Sequence, residues 1–133
     1  MIRIVTESMS DFTQEEAKAA DLIVMPLPIR FGMEEYWDDG VSLTQDDFYA
    51  RLRVAKELPK TSQVPVEHYR KCFNRLLENP EDEVLVITGS SKLSGCYQSA
   101  CIAREACHDP ARVTVLDSLN ATCAEYMLVD QAL

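Results

Sequence analysis

Residues 84–87, Val-Leu-Val-Ile, form an unbroken apolar run closed by Thr88. A strand with one wet face alternates apolar and polar side chains. A run that does not alternate is covered on both faces, the usual condition of a parallel sheet between two layers of helices. Val113 to Leu116 gives a second buried strand, and Ile2 to Thr6 a short β-branched strand that ends in the polar turn Glu7 to Asp11. Helical patterns fall between them. Thr13-Gln14-Glu15-Glu16 is a capping box, with Thr13 as N-cap and Glu16 reaching back, for a helix to about Ala20. Thr44-Gln45-Asp46-Asp47 starts another, with Phe48, Leu52 and Val54 as its apolar stripe. From Val66 to Leu77, Tyr69, Cys72, Phe73, Leu76 and Leu77 recur at helical spacing.

The remaining segments complete the pattern. Ile23, Met25, Leu27, Ile29 and Phe31 alternate with Pro26 and Pro28, as in one edge strand with a single buried face. Gly32-Met33 turns it back into a hairpin with Glu34 to Trp37, and Leu58 to Gln63 reads as a loop. Ser94 caps a helix from Gly95 to about Ala106, and a last helix runs from Ala124 to the end of the sequence without a stop signal. The order predicts an α/β layered fold of Rossmann-like type: a mostly parallel sheet flanked by helices. The 133 residues suit one domain.

A net charge of −9 makes nucleic acid and anionic lipid surfaces poor partners. An anionic ligand would have to be held by local donors. The longest apolar run, Ala19 to Ile29, is interrupted by Asp21 and two prolines, so no membrane insertion and no secretion signal is expected. The five cysteines, Cys72, Cys96, Cys101, Cys107 and Cys123, are odd in number, form no CxxC pair and have no histidine at zinc spacing. This suits a reducing, cytoplasmic setting with no bound metal. The acidic cluster Glu34, Glu35, Asp38, Asp39 matches no calcium loop and reads as a solvated hairpin end.

In open α/β sheets ligands gather at the carboxyl ends of the strands. The loops expected there carry Ser8, Ser10, Ser90, Ser91, Ser94, Asp117 and Ser118, and the Thr61-Ser62 loop approaches the same edge. Of the two histidines, His68 falls on the exposed face of its helix and His108 in a turn. A serine nucleophile needs a base. A carboxylate needs only donors, which hydroxyls and helix N-terminal amides supply. The set therefore reads as a binding site with no catalytic residue and no cofactor. G-x-S-x-G and P-loop patterns are both absent.

Five segments resemble the DegV family in order and spacing: residues 1–11 (MIRIVTESMSD), 41–44 (VSLT), 59–63 (PKTSQ), 90–95 (SSKLSG) with 97–100 (YQSA), and 113–118 (VTVLDS). The resemblance covers essentially the whole chain. It implies a cytoplasmic, bacterial, two-domain protein that binds one long-chain fatty acid between its domains and in some members presents it to a fatty-acid kinase. It further implies that this chain is the N-terminal α/β domain, with the C-terminal domain absent. The family's carboxylate ligands map onto Thr61 and Ser94, with Ser62 and the amide of Gly95 as helpers. Ser8, Ser10, Ser90, Ser91, Asp117 and Ser118 would stand behind them. The chain departs from the family pattern at Glu7, where Asp is usual, and at Cys96, where Thr is usual. Thr122, Ala124 and Tyr126 replace a Ser-x-Gly-x-Gly helix start.

Other readings compete. Ser94 before Gly95 is a good N-cap in any α/β protein. An apolar trough left bare by a missing domain would favour a homo-oligomer or another protein partner over lipid. Cys96, near a helix start where thiol pKa values fall, would suit a thiol enzyme or redox sensor.

Overall fold

The computed structural model describes all 133 residues. Four parallel strands, β1 (Ile2–Glu7), β2 (Ile23–Met25), β6 (Glu83–Thr88) and β7 (Val113–Asp117), form one sheet in the order β2-β1-β6-β7. A second, three-stranded antiparallel sheet has the order β4-β3-β5, from β3 (Pro28–Phe31), β4 (Glu34–Trp37) and β5 (Lys60–Thr61). The helices are α1 (Gln14–Ala19), α2 (Gln45–Val54), α3 (Val66–Leu76), α4 (Cys96–Glu105) and α5 (Cys123–Ala132).

The apolar runs behave as their composition requires. Val5, Val84 and Val86 point into a core of 16 buried residues under α3 and α4, with Tyr69, Phe73, Ala100 and Ala103. Ile4 and Ile87, their neighbours along the same strands, point the other way into a core of 6, with Phe12, Ala17 and Val129. Successive side chains of a strand face opposite sides, so two cores follow from one continuous apolar run. Tyr69 and Phe73 are wholly buried on the stripe read from the sequence. Each contributes about 1.5–3 kcal/mol of burial. The capping box forms: Thr13 Oγ1 accepts from the Glu16 N–H, and Glu16 Oε2 accepts from the Thr13 N–H at 2.9 Å.

The structure differs from the sequence reading in five places. Residues 23–31 are two strands in two sheets, not one edge strand, because the chain leaves β1 after Met25 and crosses at Pro26-Leu27. Neither Pro26 nor Pro28 has an N–H to donate to a ladder, which disfavours one continuous strand here. Residues 58–63 are not all loop: Lys60 and Thr61 pair with Arg30 and Ile29. The α2 stripe is only partly covered: Phe48, against Phe31, and Leu52 are half-buried, and Val54 is 80% exposed. The strand at 113 is an edge strand with Leu116 half-exposed, because no strand follows β7 in the sheet. Finally, α4 starts at Cys96 with Gly95 as N-cap. Ser94 lies one residue earlier, yet its Oγ still accepts the Cys96 N–H at 3.2 Å.

Candidate functional site

The carboxyl ends of β1, β6 and β7 bring the turns 7–11, 89–94 and 117–122 to one rim of the parallel sheet. The 89–94 loop is pinned from behind. The Ser90 N–H donates to the Asn120 carbonyl at 2.7 Å, and the Ser91 N–H to Asp117 Oδ1 at 3.1 Å. The Ser94 N–H donates to the Ser90 carbonyl at 3.0 Å. Asp117 also accepts the Leu119 N–H at 3.0 Å. Burial tends to raise the Asp117 carboxyl, but these donors outweigh it and hold it below its ordinary value. Asp117 therefore orients loop amides.

The 61–64 segment reaches this rim from the small sheet. Thr61 pairs with Ile29, and the Ser62 N–H donates to the Pro28 carbonyl at 3.2 Å. Two residues on, the Val64 N–H points at Cys96 Sγ, 3.5 Å away. The Gln63 side chain packs on Gly95, so that a Cβ there would lie 3.0 Å from Gln63 Cδ. The Thr61-Ser62-Gln63 and Ser94-Gly95 segments are thus brought together, with Thr61 and Ser62 exposed and Ser94 and Gly95 half-buried. A helix start leaves its first N–H groups without intrahelical partners. The arrangement offers hydroxyls and amide donors at the positive end of the α4 dipole, with no base among them.

The other residues expected near the ligand have structural partners. Ser10 is fully buried, and its hydroxyl donates to the Glu7 carbonyl at 2.8 Å. Ser8 Oγ accepts the Leu27 N–H at 3.1 Å, tying the crossover between sheets to the first turn. Ser90 Oγ accepts the Lys92 N–H, and Ser118 Oγ accepts the Asn120 N–H. Ser91 is exposed at the rim.

Cys96 does not suit thiol chemistry. It is fully buried, and burial pushes its thiol up, with the nearby Glu7 carboxyl adding to the rise. The expected fall at a helix start is overridden by desolvation. Tyr126, standing where the family pattern has glycine, turns away from the rim: its ring stacks on Phe12 at 4.0 Å and its hydroxyl donates to Glu16 Oε1 at 3.2 Å.

Sequence reasoning missed two features. One is Gln63, quoted only as part of a motif, which sets the spacing to Gly95. The other is a buried pair of carboxyl groups, Glu7 and Glu125, both fully inaccessible directly beneath Gly89. The available signal was slight: Glu125 sits one turn before Val129, on the inward stripe of α5. Two surface grooves lie elsewhere. One of about 460 Å³ is lined by Phe31, Arg51, Val54 and neighbours, and one of about 360 Å³ by Met25, His68, Lys71, Cys72 and Arg75. No helix is long and apolar enough to cross a membrane.

A four-stranded parallel sheet flanked by helices, with hydroxyl-bearing loops and a helix start at its carboxyl rim, defines an α/β domain of Rossmann-like layering. The chain belongs to the DegV family, whose model, described as an uncharacterised protein family, matches residues 1–133. It is 39% identical over 131 residues to a DegV domain-containing protein of Caldanaerobacter subterraneus, covering 98% of this chain and 45% of that one. It is 35% identical over 130 residues to a fatty acid-binding protein of Thermotoga maritima, covering 92% of this chain and 42% of that one. Among solved structures, a stearic acid-binding protein from Eubacterium ventriosum superposes with a TM-score of 0.90 at 32% identity, covering 99% of this chain and 46% of that one. A fatty-acid-binding DegV family protein from Thermus thermophilus does so with a TM-score of 0.86 at 33% identity, covering 98% and 45%. The chain spans less than half the length of the relatives it matches.

Proposed function

We propose that this chain supplies the headgroup half of a fatty-acid site, as a non-catalytic lipid-binding module of a cytoplasmic protein. Thr61 and Ser94 would hold the carboxylate through their hydroxyls, with Ser62 and the Gly95 amide beside them. One observation carries the reading: Gln63 packed on Gly95 joins the Thr-Ser-Gln segment to the start of α4, where donors gather without a base. Charge-assisted hydrogen bonds of this kind contribute about 1.5–3 kcal/mol each, which offsets the unfavourable field of a chain carrying −9. The fatty-acid binding of the relatives from Thermotoga maritima and Eubacterium ventriosum supports the ligand class.

Most of the affinity for such a ligand comes from its tail. A tail of roughly fifteen methylenes gains roughly 12 kcal/mol if wholly enclosed, at about 0.8 kcal/mol each. The chain spans less than half the length of its relatives, so these 133 residues are expected to enclose only part of a tail and to bind fatty acids weakly by themselves. Titration of the isotope-labelled chain with a long-chain fatty acid, followed by NMR, tests this. Shifts centred on residues 61–63 and 94–96 with micromolar or weaker affinity support it. Nanomolar affinity, or shifts confined to another face, counts against it. Presentation of the acid to a fatty-acid kinase rests on the family resemblance alone.

A second reading is favoured by the uncovered apolar side chains of α2 and its surroundings. Val54 is 80% exposed, Val41 79% and Tyr49 48%. In that reading the chain pairs with another copy or another protein through this face. Light scattering across concentration separates the two, since a strict monomer disfavours pairing.

A further inference from the structure

We propose that Glu7 and Glu125 form a shared-proton site that locks α5 to the loop leading to Ser94, and that loss of the proton releases the helix. This stands independently of what the rim binds.

The geometry begins with enclosure. Glu7, at the end of β1, and Glu125, in the first turn of α5, have no solvent exposure, and their carboxyl groups flank one point: a Cβ on Gly89 would lie 3.0 Å from Glu7 Oε1 and 3.1 Å from Glu125 Oε2. Glu7 Oε1 accepts the Gly89 N–H at 2.5 Å, and Tyr69 donates to Glu7 Oε2 at 3.5 Å. Glu125 Oε1 accepts the Thr6 hydroxyl at 3.2 Å. Glu125 Oε2 is buried with no donor. As a carboxylate oxygen it is an orphan. As the O–H of a carboxylic acid it has a ready acceptor in Glu7. The protonated pair therefore satisfies an atom that the doubly ionised pair leaves bare, and it avoids two adjacent negative charges in a dry site.

The titratable groups around the pair bring no positive charge to balance a second negative one, and Tyr69 offers Glu7 only a long hydrogen bond. Asp11, from the turn after β1, faces Glu125. Tyr69 from α3 and Cys96 from α4 face Glu7. All three are acids, so none brings positive charge. Burial pushes Glu7 up to about 7 and Glu125 to about 8, the charge of Glu7 adding to the latter. The pair titrates as a unit.

The pair joins two movable parts. Gly89 sits directly on it: a Cβ there would lie 3.0 Å from Glu7 Oε1, 3.1 Å from Glu125 Oε2 and 2.7 Å from Met9 Sδ. Gly89 opens the loop that leads to Ser94. On the other side, α5 is entered through a strained turn, with Leu119 at φ 56° and Thr122 at φ 52°. Positive φ is unfavourable for both, most of all for β-branched Thr122. When the shared proton leaves to bulk water, repulsion and the unsatisfied oxygen act against a helix already held at a conformational cost.

Amide hydrogen exchange of the 133-residue chain at pH 6 and pH 9 tests the proposal, with rates expressed as protection relative to an unstructured chain. Protection across residues 123–132 is expected to fall at least tenfold between the two, while residues 66–76 hold. Glu125→Gln, whose amide donates to an ionised Glu7, is expected to remove that fall. Equal α5 protection at both pH values in the parent chain overturns the proposal, as does a Glu125→Gln variant that keeps the full fall. Should the variant not fold, carbon-detected NMR titration of the parent glutamates decides the matter. A carboxyl titrating above pH 6.5 supports the site, and every glutamate titrating near the ordinary value of 4.5 overturns it.

Discussion

Gln63 rests against Gly95 so closely that a Cβ on the glycine would sit 3.2 Å from Gln63 Oε1 and 3.3 Å from its Nε2. The backbone of Gly95, at φ −80°, accepts any residue, so alanine there causes no backbone strain. Gly95→Ala is expected to leave stability within about 1 kcal/mol of the parent. It displaces Gln63, and with it Thr61, so fatty-acid binding should weaken several-fold. A melting curve and an NMR titration measure the two effects separately.

Thr61 and Ser94 are expected to separate stability from binding. Thr61 is exposed on a two-residue strand, and Thr61→Val should be near-neutral for folding. Ser94→Ala removes the acceptor of the Cys96 N–H and should cost about 1 kcal/mol in urea unfolding. Both substitutions are expected to lower fatty-acid affinity. If Ser94→Ala destabilises the fold yet binds lipid normally, the hydroxyl serves as a cap only.

The Phe12–Tyr126 stack closes the smaller core on the α5 side. Tyr126→Ala should destabilise by roughly 1–3 kcal/mol. Tyr126→Phe keeps the stack and loses only an exposed hydroxyl contact to Glu16, so it should cost less than about 1 kcal/mol. Equal losses for the two would show that the hydroxyl, not the ring, matters.

Cys96 is buried and its thiol raised, whereas Cys123 is exposed. Iodoacetamide at neutral pH is expected to label Cys123 first, with Cys96 protected until the chain unfolds. Peptide mass spectrometry reads the order, and early labelling of Cys96 would revive thiol chemistry.

The buried pair also predicts how stability varies with pH. In the unfolded chain both glutamates titrate near 4.5, and in the folded chain near 7 and 8. Between these values the folded state holds more protons. Stability therefore falls as pH rises from about 4.5 to 8, by up to about 1.4 kcal/mol per pH unit for each excess proton. Glu16 acts in the opposite sense: the Thr13 backbone N–H holds its carboxyl low, so its contribution is lost as pH falls below its ordinary value. Urea midpoints at pH 5, 6, 7 and 8 should decline steadily, and less steeply in Glu125→Gln. A flat series in the parent chain would contradict the assignment.

The parts of the fold legible in the sequence were those governed by local periodicity. The continuous run at Val84, the stripe of Tyr69, Phe73 and Leu76, and the capping box at Thr13 each state their own environment. Residues 23–31 were misread because alternation says which face a side chain takes, not which sheet the strand joins. The pairing of Thr61 with Ile29 was invisible for a related reason: a two-residue strand has no period. Of the candidate site, Asp117 and the bond from Ser94 to the start of α4 could be anticipated from turn chemistry, but not that Gly95 takes the N-cap position. The Glu7–Glu125 pair could not, since each glutamate looks like an ordinary surface acid until the fold encloses it.

The crossover at Pro26-Leu27 has a consequence for how such a grip would operate. Thr61 belongs to the antiparallel sheet and Ser94 to a loop of the parallel one, so neither scaffold alone sets their separation. The gap between the two hydroxyls is set where the scaffolds touch, by the Gln63 side chain against Gly95 and the Val64 N–H against Cys96 Sγ. A change of side chain at that seam would widen or narrow the grip while leaving every strand intact.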